Sequence, residues 1–303
     1  MFTLRQLESL TAIVDEGSFT AAADVLGVTQ PALSHQIRSL ERAIGLQLLE
    51  RLPRSVRLTT AGRAFLPHAR AALAAVDRGS RAARQAVQLE AAELGVATIY
   101  SISLGVLPPV LRAWRQQHGS TQVRLFEHRH ADNLRNAMLA GQADLAIGPV
   151  PVDWPGQIVP LGEEEFVVVL PFDDPDIGPE DTTVDLALLA HRSWVHFAPD
   201  NGLAALVDDV CARAGFQPRV AVRAEQTAAA PILASAGLGP TLVPLNVIPP
   251  NFDGRLLRPD PPVRRMMSVY TRHGEEPVVS AFISTLMRTA ELIPKHLRAV
   301  LRF

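Results

Sequence analysis

Residues 18–45, "SFTAAADVLGVTQPALSHQIRSLERAIG", constrain the fold more than any other part of the chain. Phe19, Ala22, Ala23 and Leu26 recur on one helical face behind Ser18, a natural N-cap, and Gly27 suits a left-handed exit. Thr29 can cap a second helix with Pro31 in its first turn, where Leu33, Ile37, Leu40 and Ile44 mark the inner face. The small pair Ala22-Ala23 lets the helices cross closely over a tight Gly-Val-Thr turn, which is what a helix-turn-helix needs. Gln30, Pro31, Ser34, His35 and Arg38 are expected to face away from the inner stripe. Gln suits adenine, Ser either base type, and Arg guanine or phosphate. Periodicity alone leaves two readings open, a plain helical hairpin or a surface that enters a DNA groove.

The flanking segments bear on that choice. Thr3 and Gln6 form a capping box ahead of Leu7, Leu10 and Val14, and Gly17 ends that helix. "LLERLPRSVRLT" reads as a small hairpin with Arg51, Arg54 and Arg57 clustered at its turn, where a wing would meet phosphates. The formal net charge is −2, so positive charge for a nucleic acid must be local. Lys295 is the only lysine; the arginine bias suits phosphate recognition, but genome base composition gives the same bias. From Thr60 to about Leu89 the chain is Ala-rich and helix-forming, with Phe65, Ala69, Leu73 and Val76 at helical spacing. Such a helix spans about 45 Å, too long to bury in a tiny domain, so pairing with a second copy is the natural reading. Pro67 is a candidate kink and Gly79-Ser80 a candidate early end.

After Leu94 the pattern becomes alternating strands and helices, hence α/β with crossover helices. "LGVATI", "VRLFEH", "ADLAIG", "FVVVLP", "SWVHFA", "RVAVRA", "GPTLVP" and "MMSVYT" are the strand candidates, and 107–117, 131–141, 202–214 and 227–236 the helical ones. Cys211, the single cysteine, excludes an intramolecular disulfide and reads as a small buried apolar residue. No uninterrupted apolar run reaches about 18 residues, and the start lacks a basic region followed by an apolar run. The expectation is a soluble cytoplasmic protein. No G-x-S-x-G elbow, dinucleotide fingerprint or P-loop is present, so no catalytic residues, metal or cofactor are assigned. A transport-type binding protein would not carry the N-terminal helices, and a thiol-pair redox sensor would need a second cysteine.

The run "LRQLESLTAIVDEGSFTAAADVLGVTQPALSHQIRSLERAIGLQLLER", followed by "VRLTTAG", resembles the winged helix-turn-helix of LysR-type transcriptional regulators. "VLPPVL", "MLAGQADLAIG", "CARAGFQP" and "ILASAGLGPTLVP" look like landmarks of that family's effector domain. The resemblance implies an N-terminal all-α winged helix-turn-helix (1–58), a linker and dimerisation helix (59–91) and a C-terminal α/β, two-lobed, periplasmic-binding-protein-like effector domain (92–303). One lobe would hold about 92–165 and 269–303, the other about 166–268, with the chain crossing near Glu165 and returning near 266–268.

It also implies partners: double-stranded DNA with an inverted-repeat operator, a small-molecule effector, a second copy in a dimer, extended to a tetramer in the family's usual manner, and no membrane. Base contacts carry over to Thr29, Gln30, Pro31, Ser34 and His35, and phosphate contacts to Arg38, Arg51, Arg54 and Arg57, with Ser18 and Thr59 completing the DNA face. His35 stands where the family often has arginine, so its base preference is in question. In the effector cleft the resemblance points to Ser101 with Ile99 and Tyr100, although Ser101 alone would be a helix cap. His130 and Ala131 replace the family's usual small hydroxyl residue. His128 and His130 share a strand face, but no carboxylate or cysteine at ligand spacing supports a metal. Gly148 and Pro149 are expected on the floor, and His196, Phe197, Asn201, Gly202, Glu225 and Thr227 on the walls. Phe197 reads equally as core and Glu225 as a solvated residue. The implied activity is a DNA-binding regulator switched by an organic or aromatic acid.

Overall fold

Caps and glycines set the first elements. The computed structural model describes residues 2–52, 55–86, 93–178, 180–272 and 276–298. Helix α1 (Leu4–Glu16) opens with the capping box: Thr3 N donates to Gln6 Oε1 at 2.8 Å and Gln6 N to Thr3 Oγ1 at 3.4 Å. Gly17, at φ 64°, ends it. Helix α2 (Phe19–Val25) is capped by the Ser18 hydroxyl, and α3 (Gln30–Ile44) by that of Thr29, which accepts from Ala32 N at 3.4 Å. Leu7, Leu10, Ile13, Ala22, Leu33, Ile37 and Leu40 close into one core. Strands β1 (Leu49–Leu52) and β2 (Ser55–Leu58) form the antiparallel hairpin. Glu41 on α3 fixes its root, with Oε1 accepting from Leu48 N at 2.8 Å and Leu49 N at 3.2 Å.

Helix α4 (Thr60–Ala86) runs through both expected weak points, Pro67 and Gly79-Ser80, over about 40 Å. The bond that Pro67 cannot make is offset by Leu66 and Ala69, which pack into the N-terminal core on either side of it.

The second unit begins with β3 (Glu93–Ile99), α5 (Tyr100–Gly105), α6 (Leu107–Gln117), β4 (Gln122–His128), α7 (Ala131–Leu139), β5 (Leu145–Pro149) and the long β6 (Gln157–Leu170). It continues through β7 (Thr183–Asp185), β8 (Ser193–Phe197), α8 (Gly202–Arg213), β9 (Arg219–Ala224), α9 (Ala229–Leu233) and β10 (Thr241–Pro244). It then passes through β11 (Arg255–Asp260), β12 (Arg264–Thr271), α10 (Pro277–Thr289) and α11 (Lys295–Arg298). Among the described residues eight strands share one sheet, ordered β4-β3-β5-β12-β6-β11-β7 with β10 also on β6; β8 and β9 pair in parallel apart from it. Strand β6 changes partners in mid-course: β12 lies against its first part up to Glu165, and β10 and β11 against Phe166 to Leu170. The chain thereby joins two lobes.

Three departures from the sequence reading are local. Strand β6 starts at Gln157 rather than near Phe166, and β7 and β11 were not expected. The helix expected over 227–236 is α9 followed by a wider turn over Ala234–Leu238.

The polar loop after β6 is clamped by Arg192, which donates to Asp174 Oδ2 at 2.6 Å and Oδ1 at 2.8 Å and also pairs with Asp176. Asp174 is almost buried, and its bond to Arg192 holds its carboxyl below the ordinary aspartate range. A depressed folded value means this stabilisation is complete above about pH 4 and is lost as pH falls through the folded value. Arg192→Ala should therefore cost about 3 kcal/mol in urea unfolding at pH 7, by stranding a buried carboxylate. The cost should shrink in acid; a loss below about 1 kcal/mol at pH 7, the scale of an exposed pair, would contradict the clamp.

Candidate DNA interface and effector cleft

In the N-terminal unit Gln30, Pro31, His35 and Arg38 are exposed along α3. Beside them a groove is lined by His35, Arg38, Glu41 and Arg42, the last two not singled out in the sequence. Ser34 departs from expectation: it is only 6% exposed and its hydroxyl is buried without a hydrogen-bond partner among the described residues. It lies three residues before Ile37, on the ridge of the buried stripe, so its small side chain is covered rather than presented.

Ser18 and Thr29 accept backbone N–H groups as caps and keep their own O–H as a donor. Thr59 differs. Its hydroxyl donates to the Gln47 carbonyl at 2.7 Å and accepts from Gly62 N at 2.9 Å, so its hydrogen is already engaged at the start of α4. Arg57 is exposed on β2 and pairs with Glu50 at 2.7 Å. Arg54 lies outside the described residues, as does the Arg51 side chain.

In the α/β unit a cavity of about 60 Å³ lies between the lobes. Nine of the expected residues line it: Ile99, Tyr100, Ser101, His130, Ala131, Pro149, Asn201, Gly202 and Thr227. The Ser101 hydroxyl is buried there with no hydrogen-bond partner among the described residues. His130 Nδ1 accepts from Asp132 N at 3.1 Å, which caps α7 and leaves Nε2 to carry the ring proton. Asn201 caps α8, with Oδ1 accepting from Leu203 N at 3.0 Å and Nδ2 donating to the Glu225 carbonyl at 3.1 Å. The first α8 amide is also occupied, because Gly202 N donates to the Arg129 carbonyl at 2.8 Å. A Cβ at Gly202 would come within 3.1 Å of that carbonyl oxygen, so the lobes approach closely here and a side chain would push them a few tenths of an ångström apart.

Four expected wall or floor residues lie elsewhere. Phe197 is fully buried in the second lobe's core. His196 is 1% exposed, its Nε2 3.1 Å from an Asp208 carboxylate oxygen on α8, because β8 is covered on both faces. Gly148 sits under α7, where a Cβ would meet Leu134 at 2.6 Å. The Glu225 carboxylate is exposed at the rim, 3.8 Å from Arg129.

Three lining residues were not anticipated: Arg129, Leu203 and Arg265. Arg129 donates to Asp200 at 2.6 Å, joining the lobes, and the bonds to Asp200 and Tyr100 raise its pKa further. It lies between His128 and His130, and a single arginine there carries no local sign of a cleft role. Among the described residues no group of three or more His, Cys, Asp or Glu is placed to hold a metal, and no helix is long and apolar enough to cross a membrane.

Comparison with known proteins agrees with this arrangement. The family model described as LysR substrate binding domain matches residues 88–291, and that described as bacterial regulatory helix-turn-helix protein, lysR family, matches 4–63. The chain belongs to the LysR family. A probable hydrogen peroxide-inducible genes activator of Mycobacterium leprae (strain TN) is 32% identical, over 82% of this chain and 79% of the relative. The HTH-type transcriptional regulator AlsR of Bacillus subtilis (strain 168) is 30% identical, over 80% of each. Among solved structures, CbnR, a LysR family transcriptional regulator, superposes with a TM-score of 0.69 at 27% identity, over 96% of this chain and 100% of that one. Full-length CbnR complexed with its target DNA gives 0.66 at 28% identity, over 95% and 99%. This LysR-family member is a DNA-binding transcriptional regulator with an effector-binding α/β domain.

The caps and the base readers can be separated. Ser18→Ala should lower stability by about 1 kcal/mol. Gln30→Ala should leave melting unchanged and reduce discrimination against a mismatched operator by about 1–3 kcal/mol. Thermal unfolding together with titration of matched and mismatched DNA checks both; equal weakening of all DNA by Gln30→Ala would remove its reading role.

Proposed function

We propose that the regulator responds to an organic acid held between the lobes, and that the acid changes how two paired N-terminal heads engage an inverted-repeat operator in the cytoplasm. The observation that carries this is the Ser101 hydroxyl, buried without a partner among the described residues on the wall of an interlobe cavity that also presents two arginines. An unsatisfied buried donor is costly, and a carboxylate is the acceptor that a hydroxyl and guanidinium groups share. Gln30, Pro31, His35 and Arg38 read and position the DNA from α3, with Ser18, Thr29 and the hairpin arginines on its phosphates. The domains follow the family's division at about 58 and 91. Pairing of two chains runs along α4, on which Val76 is exposed, and the family's tetramer is two such pairs. The protein is a switch without a catalytic role. It acts through the ligand's unequal affinity for two arrangements.

Peroxide, named in one relative's description, does not suit this chain. Thiol chemistry needs an accessible thiolate. Cys211 is fully buried in α8, and burial pushes its thiol up to about 12.

The test is thermal unfolding of the full-length protein against a panel of carboxylic acids from acetate to benzoate. At about a hundred times its Kd, a binding acid adds about 2.7 kcal/mol of stability. At least one acid should stabilise the wild type, and Ser101→Ala should lose that shift. Stabilisation by none of them, or a shift unchanged in Ser101→Ala, would contradict the reading.

A further inference from the structure

Arg265 differs from the other arginine of the cavity. Arg129 is engaged by Asp200, Tyr100 and Glu225. Arg265 on β12 stands directly opposite Glu164 on β6, and its Nε and Nη2 donate to one carboxylate oxygen at 3.0 and 2.6 Å. Its Nη1 has no bonding partner among the described residues. The pair is held from both sides. Glu164 is fully buried, with its other oxygen accepting from Asn246 Nδ2 at 2.8 Å, and the Phe166 ring lies 5.5 Å from the Arg265 guanidinium carbon. A guanidinium fixed in this way at the cavity wall offers a donor in a set position, at little further cost in side-chain entropy.

The geometry points to Arg265 as the specificity-determining residue of the cleft: its free Nη1, with the Ser101 hydroxyl, receives the carboxylate of a small aliphatic acid. This rests on the acid-responsive reading above and narrows it. The cavity of about 60 Å³ equals the volume of about two waters, whereas a cavity that accepts benzene measures about 150 Å³. A carboxylate with one or two carbons fits this arrangement of the lobes and an aromatic ring does not. Glu164 already balances the arginine's charge, so the site takes a monoanion by hydrogen-bond geometry rather than by bulk attraction. A neutral amide of the same shape turns N–H groups toward donors and is rejected, because buried donors are left unpaired. Arg265 and Glu164 stand on the two strands that cross between the lobes, so a ligand bonded to Arg265 acts at the crossover itself.

Calorimetric titration of the full-length protein with acetate, acetamide and benzoate tests this. Wild type should bind acetate at least about tenfold more tightly than either other probe. Arg265→Gln should lose about tenfold or more in acetate affinity and with it the preference over acetamide. Should Arg265→Gln not fold, Arg265→Lys carries the test: it keeps the charge without the fork, so acetate should bind several-fold more weakly with the preference retained. Acetate affinity unchanged in these variants, but lost in Ser101→Ala, would overturn the role of Arg265 and leave the acid reading standing. Tighter binding of benzoate than acetate would overturn the size class. No binding of either acid to wild type would overturn both.

Discussion

The antiparallel pairing of β6 with β12 is the constraint on which the effector domain depends. Up to Glu165, β6 lies in the first lobe against β12; from Phe166 it lies in the second against β10 and β11. Three consecutive carboxylates, Glu163, Glu164 and Glu165, sit at that change of partner and are met by Arg264, Arg265 and Arg258. Glu164 and Glu165 are buried, and these arginines together with Asn246 satisfy their oxygens. The cavity follows from the same register. Strand β12 carries Arg265 to its wall and pairs with β5, which ends at Pro149 on the same wall.

Much of this was legible in the sequence because its signals are local. Capping hydroxyls, terminal glycines and 3.6-residue stripes placed α1 to α3, since each effect acts within a turn or two. Apolar runs such as 166–170 and 193–198 placed strands buried on both faces. The first part of β6 was not among the strand candidates, because "QIVPLGEEE" carries Pro160, Gly162 and three glutamates; it becomes a strand through pairing with β12, about a hundred residues away. Strands β7 and β11 failed for a similar reason. One is three residues long and the other contains Arg, Pro and Asp, and each is stabilised by pairing with the other.

The cleft divided along the same line. Strand ends and helix starts are local features, and the family resemblance pointed to Ile99, Tyr100, Ser101, Asn201 and Gly202 at such positions. Whether a strand residue faces the cavity or the core is a tertiary matter, which is why His196 and Phe197 proved buried. Arg265 gave no local sign, since its role depends on Glu164 across the sheet. In the N-terminal unit Ser34 shows the same limit, because a residue on the edge of a helical stripe is assigned to one side only by the neighbours that cover it.

The proposed switch depends on the α3 surface reading DNA. Its most direct test is a titration of the full-length protein with DNA from upstream of its own gene, against random DNA of equal length at one fixed salt concentration, followed by footprinting. Preferential binding, with protection of two half-sites related by two-fold symmetry, is the result expected. Equal affinity for both DNAs, with no symmetric footprint from a folded protein, would contradict it.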